Sequence, residues 1–217
     1  PEVWPGPTMS KGHVIWLHGL GDSGAGWRGA FGGLTSRFTF LHPDAPVQPV
    51  TIDNGGQTTS WFDLVTWPLS LAEPEGPAGI DTSVAQIHSM IDDLVESGVP
   101  STKIVLGGFS QGGTLSILCG LTYSKPLGGV VSISGWAAYR EALPSKVSDA
   151  NKQLPMLFSV GTADPVVSFA LGSASGQILR QVLGDSVSVS HVQRGMHQPD
   201  QAEMGAAGQF IASRLSD

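Results

Sequence analysis

Short β-rich runs recur along the chain at His13 to Leu17, Phe38 to Leu41, Lys103 to Leu106, Gly129 to Ser134, Met156 to Val160 and Ser186 to His191. They alternate with helix-like stretches, the pattern of a mostly parallel central sheet with helices on both faces, an α/β fold. The clearest helix is Ile80 to Ser97. Its apolar residues Ile80, Val84, Ile87, Ile91, Leu94 and Val95 follow a period close to 3.6, and Gly98 closes it. Further helices are expected at Gly26 to Ser36, Gln111 to Tyr123, Ser168 to Leu183 and Gln201 to Leu215, the last two softened by glycines and small residues.

One segment breaks the alternation. Residues 46–79 carry Trp61, Phe62, Trp67, Leu69 and Leu71 among Pro68, Pro74, Pro77 and several glycines. A long apolar loop inside a compact domain is more often functional than idle, and this composition suits a wall or lid over an apolar site. Internal repeats are absent. The 217 residues fit a single domain, 1–217, with this loop as an insertion.

Composition then narrows the classes. A hydrophobic fraction of 41% with 13% charged residues describes a folded globular chain with room for apolar surface. The net charge of −7 argues against nucleic acid as a partner, since phosphate binding needs clustered Lys and Arg that no segment supplies. No run is apolar for the roughly 18 residues that a membrane span needs, and the start, with Pro1, Pro5 and Pro7, resembles no signal peptide. The single cysteine, Cys119, sits in the apolar part of an expected helix, where a buried, inert thiol and a reducing compartment such as the cytoplasm are expected.

The candidate chemistry centres on Gly108-Phe109-Ser110-Gln111-Gly112, which follows the run Ile104-Val105-Leu106 and precedes an expected helix. That is a G-x-S-x-G nucleophile elbow in its strand-to-helix setting, where flanking glycines let the turn close while Oγ of the serine stands clear. A serine needs a base and the base an orienting acid, here sought downstream in the order Ser, acid, His. Asp164 follows an expected strand, at the sheet edge where catalytic groups of open α/β sheets gather. His197 lies in a Gly- and Pro-flanked loop before the last helix. Asp164 could also cap the helix after Pro165, and Asp185 and Asp200 are the alternative acids.

Of the other histidines, His13, His42, His88 and His191 sit in or beside strands and helices and read as structural. His18 opens the glycine-bearing loop His18-Gly19-Leu20-Gly21-Asp22-Ser23-Gly24, and it reads as a loop-shaping hydrogen-bond partner. Such loops supply half of an oxyanion hole, which assigns its donors to the backbone amides of Leu20 and Gln111. No His or Cys pair has zinc-ligand spacing, so neither a metal nor a cofactor is expected. Trp4, Trp16 and Trp27 read as core or surface anchors, while Trp61, Trp67 and Trp136, in loops, read as substrate contacts.

Four separated motifs together resemble one family. They are Val14 to Gly24 (VIWLHGLGDSG), Pro43 to Thr51 (PDAPVQPVT), Ser60 to Asp63 (SWFD) and Leu106 to Gly113 (LGGFSQGG), and they resemble the acyl-protein thioesterase and carboxylesterase group of α/β-hydrolases over nearly the whole chain. The resemblance implies a cytosolic serine hydrolase that removes long acyl chains, such as palmitoyl, from cysteines of modified proteins. It also implies lysophospholipase or general esterase activity. Carried over residue by residue, its nucleophile falls on Ser110, its acid on Asp164, its base on His197 and its oxyanion amides on Leu20 and Gln111. Its acyl channel falls on the Trp67 to Ala72 loop, with Leu69 and Leu71, and on Trp136. The expected substrate is an S-acylated protein or a lipid ester, met with transient membrane-surface contact. The apolar loop is also a candidate contact between two copies of the chain. Two rivals stand beside this reading: a carboxylesterase acting on oxygen esters, and a catalytically silent lipid-binding scaffold on the same fold.

Overall fold

Runs such as Ile104-Val105-Leu106 and Val130-Val131 are buried on both faces, as strands between two layers must be. The computed structural model describes residues 11–216. In chain order its strands are β1 (His13–Leu17), β2 (Thr39–Leu41), β3 (Val47–Val50), β4 (Gly56–Thr59), β5 (Ile104–Phe109), β6 (Gly129–Ile133), β7 (Met156–Gly161) and β8 (Val187–Val192). Six of them form one parallel sheet in the order β2-β1-β5-β6-β7-β8. The helices are α1 (Ile80–Glu96), α2 (Gln111–Thr122), α3 (Leu143–Lys146), α4 (Phe169–Leu183) and α5 (Gln201–Leu215).

Two layers sandwich the sheet. The larger holds Ile80, Ile87 and Ile91 of α1, most of α2, Leu171 and Leu179 of α4, and Trp61, Phe62, Leu64 and Leu69 of the apolar segment. The thinner holds Phe31, Phe38 and the α5 residues Ala207, Ile211 and Leu215 against Val14, Trp16, Val105 and Val131. An aromatic ladder runs through it: Trp27 and Phe31 pack on Trp16, with centroids 5.3 and 4.7 Å away, and Phe40 stacks on Phe31 at 5.1 Å.

The structure departs from the sequence pattern in three places. Gly26 to Ser36 is not one helix but two 3₁₀ turns, Gly24–Trp27 and Gly32–Ser36, because Gly26, Gly29, Gly32 and Gly33 weaken a continuous α-helix. Residues 46–79 are not all loop, since β3 and β4 pair as an antiparallel hairpin through Val47–Thr59 and Val50–Gly56. The short helix α3 was not expected. Trp4 lies outside the described residues.

Candidate active site

β5 ends at Phe109 and α2 begins at Gln111, so Ser110 alone makes the turn between them. Its backbone, φ 54° and ψ −119°, is one that side-chain-bearing residues rarely adopt. The surrounding glycines are required by contact. A Cβ at Gly112 would collide with the carbonyl oxygens of Leu17 and His18, and one at Gly108 with the backbone of Gly112. The N-terminus of α2 is thereby held against the end of β1, and Ser110, itself buried, stands at the wall of a cleft.

The Ser110 hydroxyl donates to His197 Nε2 at 3.0 Å, and His197 Nδ1 donates to Asp164 Oδ2 at 2.9 Å. Three residues distant in sequence thus form one chain of hydrogen bonds. Asp164 leaves β7, and its other oxygen accepts the amides of Val166 and Val167 at 2.8 and 3.0 Å. The carboxylate does not cap a helix: α4 starts at Phe169, and its cap is Ser168. His197 leaves β8 in a loop laced to the acid loop by Thr162 N to Val192 O, Ala163 N to Gly195 O and Arg194 N to Thr162 Oγ1. The Phe109 ring rests on the imidazole with centroids 4.8 Å apart, and Trp27 rests on Phe109 at 5.6 Å. Neither alternative acid reaches this cluster. Asp200 caps α5 in a box with Glu203, and Asp185 precedes β8, at the opposite edge of the sheet.

Ser110, His197 and Phe109 open onto a cleft of about 410 Å³ also lined by Leu20, Gly21, Leu64, Trp67, Leu69 and Val166. One wall is the apolar segment. Leu69 donates to Val166 O and accepts from Ser168 N, a parallel bridge that ties this wall to the acid loop. Glu73, itself buried, accepts the amides of Val65 and Thr66 and the Thr66 hydroxyl. Arg140 donates to the carbonyls of Leu71 and Glu73 and pairs with Glu75 at 2.7 Å.

Not every expected lining residue lies on the cleft. Trp67, 60% exposed, and Leu69 line it. Trp61 and Trp136 do not: they are 0% and 1% exposed and belong to the core, where Trp136 meets Phe62 edge-on. The Trp61 indole N–H donates to His18 O, and the Trp136 main-chain N–H to Thr114 Oγ1. Leu71, 53% exposed, is not among the cleft's lining residues. Phe109 was missed although the motif itself contains it. Its signal is its position, between Gly108 and the nucleophile-type serine.

The loop after β1 supplies the other side of the cleft. His18 is buried, donates from Nδ1 to Gly19 O at 2.7 Å and accepts from Ala45 N at Nε2, 3.0 Å away, which fixes its tautomer and its place in the loop. The amides of Leu20 and Gln111 donate to no other group among the described residues. Two free N–H groups beside a serine hydroxyl can hold a developing alkoxide. Also among the described residues, no group of three His, Cys, Asp or Glu is placed to hold a metal, and no helix is long and apolar enough to cross a membrane.

A family model described as phospholipase/carboxylesterase matches residues 1–215. The chain belongs to this family. It is a hydrolase with the α/β-hydrolase fold, and acyl esters are the class of bond it acts on. Acyl-protein thioesterase 1 of Schizosaccharomyces pombe is 40% identical over 169 residues, 76% of this chain and 74% of that protein. Among solved structures, SOBER1 of Arabidopsis thaliana superposes with a TM-score of 0.89 at 30% identity, covering 95% of this chain and all of that one. The acyl-protein thioesterase 2 of Zea mays gives a TM-score of 0.78 at 26% identity, covering 99% and 97%.

Proposed function

We propose that this hydrolase cleaves thioester-linked long acyl chains from S-acylated proteins, with Ser110 as nucleophile, His197 as base and Asp164 as the acid that orients it. The observation that carries this is the Ser110–His197–Asp164 hydrogen-bond chain at the mouth of a cleft with an apolar wall. His197 takes the hydroxyl proton as Ser110 Oγ attacks the thioester carbonyl. The alkoxide is held by the amides of Leu20 and Gln111, and Asp164 stabilises the imidazolium. Collapse expels the thiolate, protonated by His197, and leaves an acyl-serine. A water deprotonated by His197 then attacks the acyl carbonyl, and Ser110 leaves with the proton. The apolar wall contributes affinity for the chain, at about 0.8 kcal/mol per methylene buried. The same reading places the enzyme in the cytoplasm, in keeping with its one free and buried thiol, Cys119.

The family description also names carboxylesterases, so oxygen esters form the second reading. Intact-protein mass spectrometry after incubation with acylated peptides of several chain lengths, and separately with a fluorophosphonate, tests both. The expected result is phosphonylation at Ser110 and faster turnover of a palmitoylated peptide than of short nitrophenyl esters. Modification at another residue would overturn the nucleophile, and the reverse substrate preference would favour the second reading.

A further inference from the structure

Leu20 and Gln111 lie 91 positions apart, yet their amides must converge on one oxygen atom to within a few tenths of an ångström if they are to stabilise it. β1 and β5 pair directly as far as Leu17 and Gly108, and beyond them Trp61 forms a hydrogen-bonded bridge between the two segments. The Trp61 indole N–H donates to His18 O at 2.9 Å, two residues before Leu20. The Trp61 main-chain N–H donates to Gln111 Oε1, also at 2.9 Å. Gln111 completes the join by donating from Nε2 to Phe62 O at 2.6 Å and to Ser60 Oγ at 2.9 Å, so both halves of its amide are engaged. The Trp61 carbonyl accepts from Ser83 Oγ on α1. The ring lies 5.3 Å from that of His18, whose own nitrogens are both occupied.

We propose that Trp61 is a positioning residue for the oxyanion site: it touches no substrate, and it sets the spacing of the Leu20 and Gln111 amides through His18 O and the Gln111 side chain. This rests on the oxyanion role given above to those two amides. Each polar atom of the tie is satisfied and dry, the condition under which a buried network holds a single geometry. Core filling alone does not require it. Trp16 is equally buried with an indole N–H that has no partner among the described residues, so the fold accepts a tryptophan there chiefly as bulk.

The test is Trp61→Phe, which removes the indole N–H and keeps a ring and the main-chain bond to Gln111, beside the control Trp16→Phe. Each is assayed with a nitrophenyl ester for kcat and KM, and with an alkyl boronic acid, whose tetrahedral adduct on serine mimics the oxyanion. In Trp61→Phe, kcat falls about 10- to 100-fold. KM stays within about twofold, the boronate Ki rises in parallel with the loss in kcat/KM, and the shape of the pH–rate profile is retained, because the proton relay is untouched. Trp16→Phe loses stability and keeps its rate constants. An unchanged kcat and boronate Ki in Trp61→Phe overturn the proposal. So does a raised KM at constant kcat, the mark of a substrate contact, or an equal loss of kcat in Trp16→Phe, the mark of general loosening. If Trp61→Phe does not fold, Gln111→Met cuts the tie at its other end, keeps the Gln111 amide, and is judged by the same pair of measurements. Wild-type protein that no fluorophosphonate labels at Ser110 would instead overturn the proposed function, a separate outcome.

Discussion

The two layers on either side of the sheet are built with the same residue types and for different ends. In the larger layer Trp61 is tied at its main-chain N–H, its carbonyl and its indole, and Gln111, Ser60, Ser83 and His18 form a polar seam beneath the cleft. In the thinner layer Trp16, Trp27, Phe31 and Phe40 pack ring on ring, and the Trp16 indole has no partner among the described residues. Apolar packing tolerates small shifts, whereas a hydrogen-bonded seam admits few arrangements. The larger layer therefore holds geometry for the site, and the thinner one supplies bulk stability. The thinner layer reaches the site through Trp27 and Phe109, whose ring lies against His197.

Rate should separate from stability along this divide. Ser110→Ala should lower kcat by about 10⁶-fold, roughly 8 kcal/mol of transition-state stabilisation, with little change in melting temperature. Retained turnover would remove the larger layer's claim to the chemistry. Phe31→Ala should destabilise the fold by about 3–5 kcal/mol in urea titration, as for other buried aromatics, while the protein still folded keeps its kcat. A fall in kcat to match would mean that the Trp27–Phe109–His197 contact transmits disorder from the thinner layer to the site, and the comparison would break.

The layers should also respond to opposite ends of the pH scale. In the larger layer burial pushes the Cys119 thiol far up, and burial with the Asp92 carboxylate does the same for the Tyr123 phenol. Both acids hold their protons more firmly folded than unfolded. Their stabilisation is complete below their ordinary values, 9.0 and 10.0, and is lost as pH rises toward the folded ones. Melting temperature should therefore fall above about pH 9, and Tyr123→Phe should flatten that decline when melting curves are compared. In the thinner layer His42, stacked beside Phe40, is held below its ordinary value of 6.5 by burial and by the Arg28 charge. It resists protonation when folded, so its contribution is present above that value and lost as pH drops through it. The smallest expected effect is a shallower loss of melting temperature between pH 7 and pH 5 in His42→Gln; identical curves would show that the thinner layer has no acid sensitivity of this origin.

Much of this was legible in the chain because apolar runs bounded by turns leave few alternatives. All six strands of the parallel sheet fall close to where the pattern places them, β5 running three residues further to Phe109, and α1, α2, α4 and α5 begin and end within a residue or two of expectation. Ser110, Asp164 and His197 stood out by residue type and order, and the fold brings them into contact. What the pattern hid was direction. Trp61 and Trp136 lie in loops, where an aromatic can face a cleft or the core with equal ease, and only tertiary contacts decide, His18 O for the Trp61 indole and the Phe62 ring for Trp136. The β3–β4 hairpin was hidden for another reason: Pro49, Gly55 and Gly56 make its strands read as loop. Gln111 was noticed for its amide alone, although an amide side chain that donates and accepts at once suits it to join chain segments.

The left-handed backbone of Ser110 has a consequence for how this chain can change. A residue with a side chain held at φ 54° is strained by about 1–3 kcal/mol, and glycine at 110 would relieve that strain while deleting the hydroxyl. With Ser110 as the proposed nucleophile, selection for a tougher protein and selection for a working one point to different amino acids at this position, and a lineage released from its reaction would be expected to drift toward glycine there.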